Sequence, residues 1–335
     1  MTFNYSVYMT LLGVVMSIPG AAQTLVVGNK NADTAGFVDL DSGEMRVERA
    51  TGPGPHEVAV SPDGRIAAVV AYGSAEEPGK TIGLFDVASA TAIGMIDLGA
   101  HNRPHGIVWL PDSRHLAATV QGSGHLLVVD SETREIVKAV ATGAQGSHMV
   151  ALSPDGGRAY VANVGGDSFS VIDIAAGERV AVVPAGRESE GIAVTPDGGE
   201  IWVANRGADS VFVYDAESFE RIAEIGTGRV PIRVAVSPDG RTVAVSNAGE
   251  GSVELIDRAG RTVTRSLRFA GESGSPAMPV TLLFSPDGER LFVALTAIAT
   301  VAEIDTANWQ TLKLIAAGAG SDGLGWSPLS LDPAR

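Results

Sequence analysis

Short apolar runs alternate with polar turn sequences along almost the whole chain. In one copy, "VAVSPDG" at 234–240 leads an apolar run into a Pro-Asp-Gly turn, and "TVAVSN" follows at 242–247. Pro presets φ in such a turn and Gly takes the positive-φ position, so the motif predicts a tight hairpin. A third run ends in "LID" and a fourth, more polar run closes the copy. The pattern predicts a unit of four short β-strands whose first strand is covered on both faces.

The unit repeats along the chain. Its turn motif begins at Ser61, Leu110, Ser153, Thr195, Ser237 and Ser285, and a degenerate copy, "WSPLS", contains Ser327. The residues five positions before these turns are His56, His105, His148, Glu190, Ile232, Val280 and Asp322. Their separations are 49, 43, 42, 42, 48 and 42 residues, which is the period of a four-stranded propeller blade.

The two ends of the chain each hold part of one unit. Residues 24–50 supply three strands but no first strand, and "SDGLGWSPLS" at 321–330 is a first strand with nothing after it. Joined, they complete one blade from both termini and close the ring. We therefore expect an all-β, seven-bladed β-propeller of four-stranded blades over residues 24–335.

Two copies carry a family resemblance. "AYVANVGGDSFSVID" at 159–173 and "IWVANRGADSVFVYD" at 201–215 resemble the YVTN-type repeats of seven-bladed propellers of the lactonase-like and cytochrome d1-haem-domain-like group. The resemblance covers about residues 24–330. It implies the propeller fold, and lactone hydrolysis is the reaction class that it suggests. Such propellers also include isomerases, haem carriers and passive binders, so the fold leaves the chemistry open.

The beginning of the chain has the character of an export signal. The first 23 residues carry no charged side chain, and "VYMTLLGVVMSI" at 7–18 precedes small residues at Gly20 and Ala22. This apolar stretch is too short to span a bilayer. We interpret residues 1–23 as a cleaved signal peptide rather than a buried first strand, which predicts a periplasmic or secreted protein with no membrane span.

Composition excludes several other classes of site. The formal charge of −15 disfavours nucleic acid, because phosphate backbones need a basic surface. With no cysteine, the chain has no thiol catalysis, no disulfide, no c-type haem attachment and no Cys-ligated zinc. The sequence also lacks a Gly-rich phosphate loop and a Gly-x-Ser-x-Gly elbow. A monomer with a small-molecule ligand is expected.

Half of the six histidines occupy one register of the repeat. His56, His105 and His148 would begin the innermost strands of three successive blades at the mouth of the central channel, and Glu190 follows in the next blade. Neutral imidazole with a carboxylate suits zinc, iron or copper, so these four residues are the predicted metal ligands. Glu190 and Asp322 are the candidate catalytic carboxylates. The alternative is that histidine here is repeat consensus with no ligand.

Basic side chains are predicted around the same mouth. Arg103, Arg187 and Arg229 fall in loops that enter first strands, and Arg206 follows a second strand. Together they could bind a carboxylate-bearing molecule. Three functions remain open: a metal-dependent hydrolase, lyase or isomerase, a non-catalytic propeller that binds a ligand or a protein, and a haem-binding relative with an axial histidine.

Overall fold

The computed structural model describes residues 23–332. Residues 1–22, which hold nearly all of the predicted signal peptide, lie outside the described part of the chain. The strands are β1 (Thr24–Asn29), β2 (Thr34–Asp39), β3 (Glu44–Ala50), β4 (Pro55–Val60), β5 (Ile66–Gly73), β6 (Pro78–Asp86), β7 (Thr91–Asp97), β8 (Pro104–Trp109), β9 (His115–Val120), β10 (His125–Asp130), β11 (Ile136–Ala141), β12 (Ser147–Leu152), β13 (Arg158–Asn163), β14 (Ser168–Asp173), β15 (Glu178–Pro184), β16 (Ser189–Val194), β17 (Glu200–Asn205), β18 (Ser210–Asp215), β19 (Arg221–Gly226), β20 (Pro231–Val236), β21 (Thr242–Asn247), β22 (Ser252–Asp257), β23 (Thr262–Arg268), β24 (Pro279–Phe284), β25 (Arg290–Leu295), β26 (Thr300–Asp305), β27 (Gln310–Ala316) and β28 (Ser321–Ser327). A short 3₁₀ turn, Thr296–Ile298, separates β25 from β26.

The strands form seven four-stranded antiparallel sheets, and each sheet is one blade. Blade 1 has the order β28-β1-β2-β3, and blades 2 to 7 take the remaining strands in groups of four along the chain. The innermost strand of each blade contacts the next, and β28 contacts both β24 and β4, which closes the ring. The predicted fold, the number of blades and the shared terminal blade are all confirmed.

The core lies between the blades. The middle strands are buried along their length, as in β1, whereas the outermost strands alternate between exposed and half-buried positions, as in β3. Neighbouring blades pack through large side chains such as Phe169 and Tyr214, whose ring centroids are 4.9 Å apart in an edge-on arrangement. Each fully buried side chain of this size contributes roughly 1.5–3 kcal/mol by leaving water.

The Pro-Asp-Gly turns have a structural role. In the first copy Gly64 has a φ of 79°, its amide donates to Ser61 O at 2.7 Å, and Ser61 Oγ donates to Asp63 Oδ1 at 2.6 Å. These bonds satisfy the polar groups of the turn locally. The turns lie at the end of the channel opposite the aligned histidines.

A change of backbone direction precedes every innermost strand. The residue before each of these strands has a positive φ, and these residues are Gly54, Arg103, Gly146, Glu188, Val230, Met278 and Gly320. The pairing of each innermost strand with its neighbour then shifts register, as between Ser147 and Val150 in blade 4. Such a bulge re-aims side chains. It gives the second and third residues of each innermost strand their position at the channel.

Within residues 23–332, no helix has the length and apolar character needed to cross a bilayer.

Candidate functional site at the histidine end of the channel

The second residue of each innermost strand contributes to one ring of side chains, called here the inner ring. Its members, taken around the channel, are Asp322, His56, His105, His148, Glu190, Ile232 and Val280. His105, His148, Glu190 and Asp322 are buried, and His56 is half-buried. Five consecutive blades therefore present polar groups and the other two present aliphatic groups. The ring has a polar side and an apolar side.

The structure brings the three predicted histidines into one cluster. The ring centroids of His56 and His105 are 5.0 Å apart at an interplanar angle of 63°, and those of His105 and His148 are 3.6 Å apart at 30°. His148 Nε2 lies 3.4 Å from Glu190 Oε1. All four predicted metal ligands are thus neighbours in space, although His105 and His148 stack face to face.

The imidazoles of His56 and His105 are held in the neutral form. Burial lowers the pKa of His56, and burial together with the neighbouring His148 and His56 lowers the pKa of His105 well below its usual value. His56 Nδ1 lies 2.9 Å from the carbonyl oxygen of Gly54, which can only accept a hydrogen bond. Nδ1 therefore carries the proton, and the lone pair is on Nε2.

Glu190 is surrounded by cationic groups. Its Oε2 lies 2.7 Å from Arg206 Nη1, and its Oε1 lies 3.6 Å from Arg233 Nη1. Burial raises the pKa of Glu190, but His148, Arg233 and Arg206 outweigh this effect and lower the pKa to about 2. The carboxylate is therefore ionised at neutral pH and is a weak base. Its environment favours an electrostatic role over proton transfer.

A buried ion pair crosses the channel below the inner ring. Arg233 in blade 6 donates a hydrogen bond through Nη2 to Glu57 Oε1 in blade 2, and both side chains are only 7% exposed. Contacts with Glu57 and Glu190 raise the pKa of Arg233 in spite of its burial. The sequence pattern did not predict this pair. Its one signal was a charged residue at the third position of two innermost strands, "PHEVAV" and "PIRVAV".

Tyr72 forms a wall beside the histidines and was also missed. Its ring centroid is 4.5 Å from that of His56 and 5.5 Å from that of His105, and its hydroxyl donates to Gln121 Oε1 at 2.8 Å. Gln121 directly follows the second strand of its blade, as do Lys30 and Arg206, and Tyr72 lies at the equivalent position near the end of the longer β5. Lys30 Nζ bonds Asp322 Oδ2 at 3.1 Å. Alignment of this position around the ring could have found the whole set.

The four predicted substrate-binding arginines are placed differently from one another. Arg206 contacts the inner ring through Glu190, and Arg103 stacks over Tyr72 with its guanidinium carbon 5.2 Å from the ring centroid. Arg187 and Arg229 donate to carbonyl oxygens of rim loops, at Gly207 and Gly249, and Arg103 does the same at Ser74. Arg206 and Arg103 are therefore the better placed of the four to meet a ligand in the mouth.

Several buried polar atoms of the site lack a hydrogen-bond partner among residues 23–332. They are His105 Nδ1, His148 Nδ1, Arg233 Nε, Thr281 Oγ1 and Asp322 Oδ1. An unpaired buried polar group costs about 1–3 kcal/mol, and such groups are rare in folded proteins. All five belong to the second or third residue of an innermost strand, so donors and acceptors at this end of the channel are available for further hydrogen bonds.

Only part of the predicted ligand set has the spacing that one metal ion requires. Two imidazoles bound to one ion at about 2.0–2.1 Å place their ring centroids roughly 5 Å apart, which the 5.0 Å of His56 and His105 matches. The stacked ring of His148 is too close to His105 for both to bind one ion as they stand. Among the described residues, no three His, Asp or Glu side chains are arranged as a ready metal site. Binding of a metal by the full set remains a prediction.

Comparison with known proteins agrees with the fold. The family model described as "Lactonase, 7-bladed beta-propeller" matches residues 99–284, which is 186 of 335 residues. No curated protein matches the sequence.

Three solved structures are similar to the chain in fold. Hydrazine synthase of Kuenenia stuttgartiensis is 20% identical with a TM-score of 0.73, and the match covers 84% of this chain and 92% of that one. A functionally unknown protein of Desulfotomaculum acetoxidans is 15% identical with a TM-score of 0.75, covering 93% and 100%. Dihydro-heme d1 dehydrogenase NirN in complex with DHE is 14% identical with a TM-score of 0.65, covering 92% and 78%. With more than half of its length matched by the family model, the chain belongs to the lactonase family of seven-bladed β-propellers.

Proposed function

We propose that the histidine end of the channel is a metal-assisted hydrolytic site for a small lactone that carries a carboxylate. The observation that supports it best is the pair of neutral imidazoles, His56 and His105, at the spacing of two ligands of one ion. The reaction would add water to the lactone carbonyl and break the ring C–O bond, which yields a hydroxy acid. A lyase or isomerase reaction on a similar molecule would use the same groups.

His56 and His105 are the residues that would hold the ion. A divalent metal at this position supplies Lewis-acid chemistry that polarises a carbonyl group. Tyr72 packs against both rings and fixes their orientation, which is the supporting role that neighbours of metal ligands commonly have. The polar side of the inner ring would thus provide the ligands, and Tyr72 beside it would support them.

Other residues of the site would accept a proton, bind the substrate carboxylate and contact its hydrocarbon part. Asp322 is buried with Oδ1 free, so it is better suited than Glu190 to accept a proton from water. Arg206, at the rim of the mouth, can exchange its partners Glu188 and Glu190 for a substrate carboxylate. Ile232 and Val280 offer an apolar surface to the rest of the substrate. The site would therefore bind a molecule by its carboxylate at one side and by its hydrocarbon part at the other.

A hydrolysis assay tests this proposal. Tag-free protein supplied with Zn²⁺, Fe²⁺ or Cu²⁺ in turn is offered a panel of lactones with and without a carboxylate, and ring opening is followed by acid release. We expect turnover that a chelator abolishes and that His105→Ala reduces by at least about a hundredfold. His115→Ala, on the opposite face, should keep the parent rate. A rate that chelation and His105→Ala both leave unchanged would contradict the proposal.

A non-catalytic binding propeller is the second candidate. The ion pairs that keep Glu190 ionised and weakly basic favour it, because they suit a site that holds a ligand without transferring protons. A haem ligand is one form of this alternative, and NirN, whose fold is similar, was solved in complex with DHE. Reconstitution with haem would then produce a Soret band that His56→Ala or His105→Ala shifts.

We place this activity outside the cytoplasm. The uncharged leader at residues 1–23 supports export, after which the protein would start near Thr24. Intact-mass measurement on protein recovered from the periplasm or the medium checks this, and retention of Met1 would overturn it.

A further inference from the structure

A second pair of histidines lies on the same face, outside the inner ring. His101 is in the loop before β8, and His125 is the first residue of β10. Their ring centroids are 5.1 Å apart at an interplanar angle of 65°. This is nearly the arrangement of His56 and His105, but both rings are half-buried at the rim instead of facing the channel.

Ser123 makes a hydrogen bond to each of the two imidazole rings. His125 Nδ1 lies 2.6 Å from the carbonyl oxygen of Ser123, and His101 Nδ1 lies 2.8 Å from Ser123 Oγ. The carbonyl oxygen can only accept, so Nδ1 of His125 is the donor, and in the neutral tautomer this leaves the lone pair on Nε2. The hydroxyl can accept in the same way from His101. Metal-binding histidines are commonly held like this, with one ring nitrogen bonded to oxygen and the other free to ligate.

The loops that carry the pair are joined to each other. The amide of Gln121 donates to Arg103 O at 2.9 Å, and the amide of Gly122 donates to Asn102 O at 3.1 Å. Burial and the neighbouring His125 lower the pKa of His101, which keeps its imidazole neutral at pH 7. The joined loops therefore hold the two rings close together.

The spacing and the surroundings suit a bound cation. The centroid separation of 5.1 Å is close to the roughly 5 Å expected for two imidazoles on one ion. An open cavity of about 480 Å³ borders His125 and is also lined by Ser123, Gln121, Gln145 and neighbouring glycines. An ion held by the two imidazoles would thus keep coordination positions open to solvent. The negative charge of the protein also favours a cation.

We propose that His101 and His125 form a second metal site, specific for late divalent transition metals such as Cu²⁺ and Zn²⁺. Imidazole nitrogens prefer these ions, and Cu²⁺ binds most tightly in the series. The remaining coordination positions face the cavity between blades 3 and 4, where water or a small oxygen ligand completes the shell. This site does not depend on the function proposed for the inner ring.

Titration calorimetry with Cu²⁺ tests the second site. The experiment uses chelator-treated, tag-free protein in the His56→Ala/His105→Ala background, which removes the imidazole pair of the inner ring. We expect one Cu²⁺ site whose affinity falls at least about tenfold in His101→Ala or in His125→Ala. Ser123→Ala, which removes only the hydroxyl partner of His101, should have a smaller effect. His115→Ala should have none.

Unchanged Cu²⁺ binding by the histidine variants would overturn the proposal. If His101→Ala and His125→Ala, each confirmed as folded by its thermal unfolding, bind Cu²⁺ with the number and affinity of their background, the pair is not a metal site. The conservative variant His125→Asn guards against local distortion, because it keeps a polar side chain but removes the imidazole. Retention of Cu²⁺ binding by His125→Asn at background affinity would contradict the proposal as well.

Discussion

At the scale of single residues, the state of the histidines depends on what surrounds them. His105 is 3% exposed and contacts two other imidazoles, so a proton added to it would have neither water nor a counter-ion close by. His56 lies nearer to Asp322, and burial still dominates its pKa. Burial of the innermost strands, more than any single charge, keeps these rings neutral and able to bind a metal.

This neutrality predicts a dependence of stability on pH. The unfolded chain binds protons at these histidines below about pH 6.5, whereas the folded chain does not, because the folded pKa values of His56 and His105 are lowered. Stability of metal-free protein is therefore full above pH 6.5 and falls on acidification, by at most about 1.4 kcal/mol per pH unit for each histidine. Urea unfolding between pH 5 and 7.5 measures it. His105→Gln should flatten the curve, and an unchanged slope would contradict this explanation.

The ion pair across the channel gives a second prediction. Arg233→Met leaves the buried carboxylate of Glu57 without its partner, which should lower the free energy of unfolding by about 3–5 kcal/mol. Glu57→Gln/Arg233→Met should recover much of this loss, since no buried charge is left unpaired at that position. Chemical denaturation at pH 7 measures both. Arg221→Met, which breaks an exposed ion pair with Glu224, serves as the control and should cost less than about 1 kcal/mol.

At the scale of strands, the closeness of neighbouring blades determines how near the histidines come to one another. Gly106 follows His105, and a Cβ atom added there would lie 2.7 Å from His148 O and 2.8 Å from the amide nitrogen of Val150. Glycine therefore allows β8 and β12 to approach closely. Without this approach, the rings of His105 and His148 could not stack.

Gly106→Ala should force the two innermost strands apart. We expect a loss of about 1–3 kcal/mol in stability, as for other overpacked sites, together with weaker metal binding at the inner ring. Gly226→Ala is the matched control, because that strand glycine has nothing within 4 Å of the added Cβ. Thermal unfolding of both variants measures the difference in stability. If Gly106→Ala is as stable as Gly226→Ala, the space between β8 and β12 accommodates a Cβ atom and the prediction is wrong.

The blades were predictable from the sequence because their signals are local. The contacts between residues far apart in the chain were not predictable. Each turn and each apolar run is encoded within a few residues, so the repeat was sufficient to predict seven blades and the terminal closure. The partners Glu57 and Arg233 are 176 residues apart and meet only because the ring closes. The stacking of His148 on His105 likewise depends on blade spacing, which the period of the repeat does not contain.

At the scale of the whole molecule, the terminal blade holds the ring closed. β28 pairs with β1 from Thr24↔Ser327 to Asn29↔Ser321 and also contributes Asp322 to the inner ring. Removal of β28 would expose the edge of β1 and the apolar surface of Leu25 and Val27. The closure therefore supports both the fold and the site.

Truncation after Ala319 tests this closure. The shortened chain should lose cooperative unfolding and aggregate through the opened edge, as seen by calorimetry and size-exclusion chromatography. A chain ending at Asp332, which lacks only the last three residues, is the control and should behave as the parent. A monomeric Ala319 truncation with a parental melting transition would refute the role of the terminal blade.

The most direct test of the proposed metal site is the metal content of protein purified without a tag. In the His101→Ala protein, which lacks the second site, elemental analysis should find close to one equivalent of zinc, iron or copper, which is lost when His56→Ala or His105→Ala is added and kept when His115→Ala is added. The metal should also be lost on acidification, at a pH below the usual histidine value of about 6.5, because burial lowers the pKa of both His56 and His105 and ligating imidazoles must be deprotonated. If the protein holds no such metal and takes up none at neutral pH, or if His56→Ala and His105→Ala keep it, the metal-assisted site is contradicted and the binding propeller is the better account.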